Sequence, residues 1–281
     1  MMSESVFCSL VKAHAFGNDF LLLDLDALPS SLASSLDRPA LARLACDRHR
    51  GLGADGLMFY TSTAAGADTR LFNADGSAAE VSGNGVRCAA AWGARSRALA
   101  DGAVVVIDTA AGPKSLQLMA QSGLRYTFRA DMGAPTNVRE EVIDVSGVKV
   151  RAVVLGVGNP QCVVIGALTE ERLHSIAAAL AVHPFFPAGT NVELATVEAP
   201  DRVRILIWER GVGPTEASGT GACAAAVACA FAGGAARTVQ VTSPGGTQEV
   251  EWTDRTIFLT GWADVVASMT WWLDAVPGIR G

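Results

Sequence analysis

Glu80-Val81-Ser82-Gly83-Asn84-Gly85, followed by Cys88 and an alanine-rich run, returns half a chain later. The second copy reads Glu216-Ala217-Ser218-Gly219-Thr220-Gly221, followed by Cys223 and another alanine-rich run. In each copy a small-residue turn leads into an apolar helix. The first amides of such a helix lack carbonyl partners and sit at its positive end, where an anion can bind. Two copies in a chain of 281 residues predict two similar halves, each with its own turn and helix. Two such turns facing each other, each beside a serine, would suit a substrate carboxylate approached from both sides.

The sequence around the two copies carries the same rhythm. Gly17-Asn18-Asp19 precedes the first copy much as Gly158-Asn159-Pro160 precedes the second. Hydrophobic periodicity predicts a helix over 39–49 and strands over 57–61, 69–72, 104–109, 115–120 and 125–130, after a strand-like run over 9–25. In the second half it predicts strands over 148–155, 161–165, 191–197, 202–208, 239–242, 248–252 and 257–260, with a helix over 170–181. So many short strands per helix depart from the strict alternation of a doubly wound sheet. The expected class is α+β. Two pseudo-symmetric domains, 1–130 and 131–265, each form a curved, mainly antiparallel sheet wrapped around one central helix, with the active site in the cleft between them. A C-terminal strand over 266–281 is expected to complete the first half.

Composition narrows the function. Half of the residues are hydrophobic and 18% are charged, which describes a globular chain with ample core-forming material. The net charge of −6, without a lysine- or arginine-rich run, argues against a nucleic-acid partner. No apolar stretch approaches the length of a membrane span, and no signal peptide is read at the start. Six cysteines form no CxxC pair and read as buried, reduced thiols of a cytoplasmic protein. His14, His49, His174 and His183 show no metal-ligand spacing, so no metal is expected.

Ser82 and Ser218 each stand where a serine ordinarily caps a helix. Their matched surroundings, a glutamate two residues before and two glycines after, raise the chance of a shared chemical role. Asn18, Asn73, Asn159 and Asn191 each lie in a turn, where asparagine is usually structural. Four of them at strand ends could instead converge on a polar small molecule. Glu209-Arg210 follows the apolar run Ile205–Trp208 and reads either as a surface pair or as a clamp on a charged ligand.

Together these segments closely resemble the signatures of diaminopimelate epimerases. They are Lys12–Phe20, Gly53-Ala54-Asp55-Gly56, Phe72–Ser77, Gly83–Cys88, Gly158-Asn159-Pro160, Glu209-Arg210-Gly211 and Gly219–Cys223, in the family's order and along nearly the whole chain. The resemblance implies a cofactor-independent isomerase of amino-acid (lysine) biosynthesis, acting on a small amino acid, with a homodimer compatible with it. One residue removes the α-proton and a second reprotonates from the other face. The resemblance places the reacting carboxylate on Gly83 and Asn84 and on Gly219 and Thr220. It assigns the rest of the amino acid to Asn18, Asn73, Asn159, Asn191, Glu209 and Arg210.

Two departures bear on the chemistry. The family's proton-transfer residues are cysteines, and Ser82 and Ser218 occupy those positions. The family has histidine after the Gly-Asn-Pro turn, where this chain has Gln161; Glu209, near the second serine, is retained. Cys88, Cys162 and Cys223 match neighbouring positions and read as packing residues. A thiol ionises near 8.5, whereas a serine hydroxyl lies much closer to water. A gap of roughly 5 pKa units corresponds to about 7 kcal/mol per deprotonation. Serine therefore needs an adjacent strong base, which Gln161 cannot be. An epimerase using Ser82 and Ser218 is the first expectation. A racemase or proton-shifting isomerase for another amino-acid-like substrate, and an amino-acid-binding homologue without catalysis, stay open beside it.

Overall fold

The computed structural model describes residues 7–273, and the chain forms two compact units. One takes the chain up to Phe128 and again from Trp262; the other is Arg129–Gly261. The second passage between units falls inside one continuous strand, Ile257–Trp272. The terminal strand expected over 266–281 coincides with the last part of it, and the portion beyond residue 273 lies outside the described residues.

The N-terminal unit is a mixed sheet whose neighbours follow one order. Phe7–Ala15 pairs antiparallel with Asn18–Asp24, which runs parallel to Gly56–Ser62. Gly56–Ser62 pairs antiparallel with Gly66–Asn73, which runs parallel to Val104–Thr109, and that strand closes antiparallel on Gly112–Ser122. The second unit repeats the pattern step for step: Val148–Gly156 antiparallel to Pro160–Ile165, parallel to Asn191–Ala199, antiparallel to Arg202–Glu209, parallel to Thr238–Ser243, antiparallel to Gly246–Trp252. Each parallel step needs a crossover, and a helix supplies it. Arg38–Cys46 and Gly83–Ser96 serve the first unit. The stretch 170–181, which has a π turn at its centre, and Gly219–Ala228 serve the second.

The two glycine-led helices are the axes of their units. Of the residues in Gly219–Ala228, everything from Gly221 onward is buried, and Gly83–Ser96 is buried from Asn84 to Ala91. A helix that is apolar all round must be enclosed rather than laid on one face. Each touches all six strands of its repeat, so each sheet curls round its helix. Alanine side chains make this close approach feasible. The outer sheet faces carry separate clusters, with Leu41, Ala42, Ala45 and Cys46 on one and Leu173, Ala177, Leu180 and Ala181 on the other.

Close approach also makes one glycine irreplaceable. A Cβ added at Gly66 would lie 1.9 Å from the Val106 carbonyl oxygen on the parallel neighbour. Because the obstacle is backbone, no rotamer change relieves it. Gly66→Ala is expected to destabilise the unit by about 2–4 kcal/mol. Thermal unfolding followed by circular dichroism should show a midpoint lowered by roughly 5–15 °C.

Turn chemistry places the first asparagine. Phe16 and Gly17 join the first two strands with φ of 55° and 86°, so both central residues are left-handed, as a type I′ hairpin requires. Phe16 tolerates this conformation while fully buried, packed 4.5 Å from the Trp262 ring and beneath the Arg87 guanidinium. Asn18 therefore leaves the turn at a fixed point. Among the described residues no helix is long and apolar enough to cross a membrane.

Two candidate half-sites

Ser82 and Ser218 are both N-caps, in the same extended conformation. The Ser82 hydroxyl accepts from the Gly85 amide at 3.1 Å, and that of Ser218 from the Gly221 amide at 3.2 Å. The ordinary structural role of a serine at a helix start is thus fulfilled twice. It does not exclude chemistry, because the cap uses the oxygen as an acceptor and leaves the O–H free to be given away. A helix N-terminus and a donated amide both favour negative charge developing on that oxygen. Ser82 is half-buried and Ser218 is 7% exposed.

The first half-site is polar and tightly tied. Asn18 donates to Asp55 Oδ2 at 2.7 Å, and its Oδ1 accepts from Asn84 Nδ2 at 3.3 Å. Behind them Arg48 bridges Asp19 and Asp55 at 2.8 and 2.7 Å, while Lys12 reaches Asp19 and the Gly53 carbonyl. Burial alone would raise the Asp19 carboxyl. The hydrogen bonds and charges of Arg48 and Lys12 outweigh it and hold the group well below the usual carboxylate range. Gly83 is exposed at the mouth of the helix, with open space where a side chain would stand. Asn73 pairs in register with Gly56, next to Asp55, but its side chain is exposed and donates to Ser77 Oγ at 2.9 Å instead of joining this line.

The second half-site is more buried and contains the Glu209 carboxyl. Gln161 pairs in register with Asn191, and Val192 with Trp208, which brings Asn191 beside the end of the next strand at Glu209. Asn191 Oδ1 accepts from the Arg210 amide at 2.9 Å. The Arg210 guanidinium donates to the Ala188 carbonyl at 2.8 Å, so it is held by backbone. Gln161 is 1% exposed; its amide nitrogen donates to Asn159 Oδ1 at 2.6 Å, and its oxygen has no hydrogen-bond partner among the described residues. Thr220 lies 3.5 Å from the Ser218 hydroxyl, with Gly219 before it at the helix start. Burial raises the Glu209 carboxyl above its ordinary range, and the Ser218 hydroxyl partly opposes this. A carboxylate moved upward and hydrogen-bonded to a serine has the attributes of a general base.

Glu193 is a residue that motif reading missed. It is fully buried between Val192 and Leu194, and neither carboxyl oxygen meets a hydrogen-bond donor on another described residue. Its Oε1 would stand 2.7 Å from a Cβ at Gly221, so the glycine leaves the room that the carboxyl fills beneath the first turn of the helix. Burial, and then the charge of Glu209, push its carboxyl well above the ordinary glutamate range. The signal in the sequence was a charge set directly between the apolar residues Val192 and Leu194. The cysteines, by contrast, stay in the core. Cys88, Cys162 and Cys223 are fully buried, and burial pushes the Cys88 and Cys162 thiols up.

The profile of the family described as Diaminopimelate epimerase matches residues 10–138 and 152–266. A diaminopimelate epimerase of Desulforudis audaxviator is 40% identical over 277 residues, covering 92% of this chain and 98% of that protein. The fold is shared more widely. A Bacillus anthracis phenazine biosynthesis protein of the PhzF family superposes with a TM-score of 0.69 at 15% identity, over 95% of this chain and 99% of its own. A probable proline racemase from Agrobacterium radiobacter does so with a TM-score of 0.66 at 18% identity, over 97% and 95%.

Proposed function

Because the chain belongs to the diaminopimelate epimerase family, we propose that it is an amino-acid epimerase inverting an α-carbon by two-base proton transfer without a cofactor. The substrate that the family's name points to is diaminopimelate, taken from the LL to the meso form. The observation that carries the proposal is the pair of serine-capped helix starts, placed at the same step of two sheets with identical pairing order. An α-proton beside a carboxylate is weakly acidic, and its removal pushes charge onto the carboxylate oxygens. Free amides at the starts of Gly83–Ser96 and Gly219–Ala228 are suited to receive that charge. Asn18, Asn73, Asn159, Asn191 and Arg210 would hold the remaining polar groups. Ser218 gives its proton to Glu209 and its oxygen then takes the α-proton, the C–H electron pair passing toward the substrate carboxylate. Ser82 serves the opposite face.

Deuterium uptake at the α-carbon tests this directly. In deuterium oxide, proton NMR should show slow exchange into LL- and meso-diaminopimelate, above that of the free amino acids. All six cysteines are buried in the core, so iodoacetamide should leave the rate largely unchanged. Rapid inactivation that substrate prevents would move the chemistry to a thiol and defeat the serine assignment. The Ser–Glu209 pairing also favours a second reading, a racemase or proton-shifting isomerase whose substrate has a more acidic C–H. Faster exchange into such an amino acid than into diaminopimelate would select it. Binding without any exchange would select the non-catalytic homologue. Six buried thiols fit a reducing, cytoplasmic setting.

A further inference from the structure

Asp55, Asn18, Asn84 and Arg87 form a single hydrogen-bonded line in the N-terminal unit, and its two ends fix the sense of everything between them. Asp55 Oδ2 accepts from Asn18 at 2.7 Å, Asn18 Oδ1 accepts from Asn84 at 3.3 Å, and Asn84 Oδ1 accepts from Arg87 Nη1 at 2.9 Å. An ionised carboxylate only accepts and a guanidinium only donates, whereas an amide does both and can turn over. With an acceptor at one end and a donor at the other, the two amides satisfy the line in one sense only. Asn18 must turn its NH2 toward Asp55, and Asn84 must turn its NH2 toward Asn18. Each amide nitrogen then keeps one N–H that the line does not use.

Both ends are themselves held. Asp55 is bridged by Arg48 at 2.7 Å and accepts from the Asp19 amide at 3.0 Å. Arg87 is 3% exposed on the helix one turn beyond Asn84, stacked over the Phe16 ring. Neither residue belongs to the set that the family resemblance places on the substrate.

We infer that Asp55 and Arg87 are positioning residues of the first half-site: they make Asn18 and Asn84 present N–H donors, so that this half-site takes a carboxylate in preference to a neutral amide of the same shape. The choice of ligand rests on the proposed function; the sense of the amides does not.

The experiment compares Asp55→Asn with Arg48→Gln. An asparagine at 55 can offer either a donor or an acceptor, so the line loses its imposed sense. Arg48→Gln removes the exposed ion pair but keeps the bond from Asn18 to Asp55. Side-chain 1H–15N NMR should show the Asn18 and Asn84 amides as single, protected pairs in the parent and in Arg48→Gln, and broadened or doubled in Asp55→Asn. For LL-diaminopimelate, KM should rise about tenfold in Asp55→Asn with kcat within about threefold, the loss of one charge-assisted contact. Calorimetric preference for diaminopimelate over its diamide should fall by a similar factor. Unchanged amide resonances in Asp55→Asn would overturn the inference, as would altered resonances with an intact carboxylate preference. A parent that binds no amino acid would defeat the proposed function, while the NMR comparison would still decide the sense of the amides. Should Asp55→Asn fail to fold, Arg87→Lys, which keeps a donor-only end, and Arg87→Gln, which does not, carry the same comparison.

Discussion

Replacing Ser82 and Ser218 by cysteine together with Gln161→His is expected to raise α-proton exchange by at least about a thousandfold. The argument is one of proton affinity. Roughly 5 pKa units separate a serine hydroxyl from a thiol, about 7 kcal/mol for each proton removed. The cap geometry recovers part of this, since Oγ of each serine already accepts a helix amide at 3.1 or 3.2 Å. Glu209, raised by burial and bonded to Ser218, recovers more on its own side. Neither can close the whole gap. A thiol at a helix N-terminus ionises readily, so cysteine should profit from the same caps. Gln161 contributes an amide that cannot take a proton near neutral pH, whereas histidine can.

The gain should be uneven. In the parent protein the Ser218 side has a base and so should exchange faster, making initial rates differ between the two configurations of the reacting carbon. Glu209→Gln should depress the faster direction and leave the slower one nearly untouched. Initial exchange rates on each stereoisomer, measured in deuterium oxide, separate the two sides while the final ratio stays at equilibrium. Equal rates in the parent, or a triple variant that binds diaminopimelate and gains nothing, would end the two-serine account.

How far the sequence could be read depended on local repetition. The duplicated Ser-Gly-x-Gly turns and the two Gly-Asn turns announced a doubled α+β fold, because capping and left-handed turns are decided within a few residues. The strand Thr136–Val145 escaped notice. Most of its residues are polar, only Ile143 and Val145 are buried, and it is held by a Ser146-Gly147 hairpin whose φ values are 53° and 87°. An edge strand with one buried end gives little periodicity. The helix Ser30–Ser35 has no buried residue and was equally silent. At the site, the serines and asparagines were visible as types in turns. The line from Asp55 to Arg87 was not, because it joins residues brought together by sheet pairing rather than by spacing. Glu193 was hidden for a different reason. A charge flanked by Val192 and Leu194 reads as one more solvent-facing position until its own face is found covered by the first turn of Gly219–Ala228.

Glu193→Met is expected to stabilise the protein, and increasingly so as pH rises. The carboxyl is fully buried, has no donor on another described residue, and lies near the charge of Glu209. Its folded pKa is therefore raised above that of the unfolded chain, where glutamate titrates near 4.3. Below that pH both states hold the proton, so ionisation takes nothing from stability and only the cost of an unsatisfied neutral carboxyl is left. As pH climbs past it, the unfolded chain releases the proton while the folded protein keeps it, and stability falls by up to about 1.4 kcal/mol per pH unit until the folded group titrates. Methionine has similar length, no proton to lose and no polar atom to leave unsatisfied. Near pH 7 the variant should gain on the order of 2–4 kcal/mol, or roughly 5–10 °C in its unfolding midpoint. Denaturant melts between pH 4 and 8 should show the two curves closest at the acid end and diverging as pH rises. A gain that did not change with pH would mean that Glu193 folds as an anion. A loss at every pH would mean that the carboxyl holds a bonding partner that methionine cannot replace.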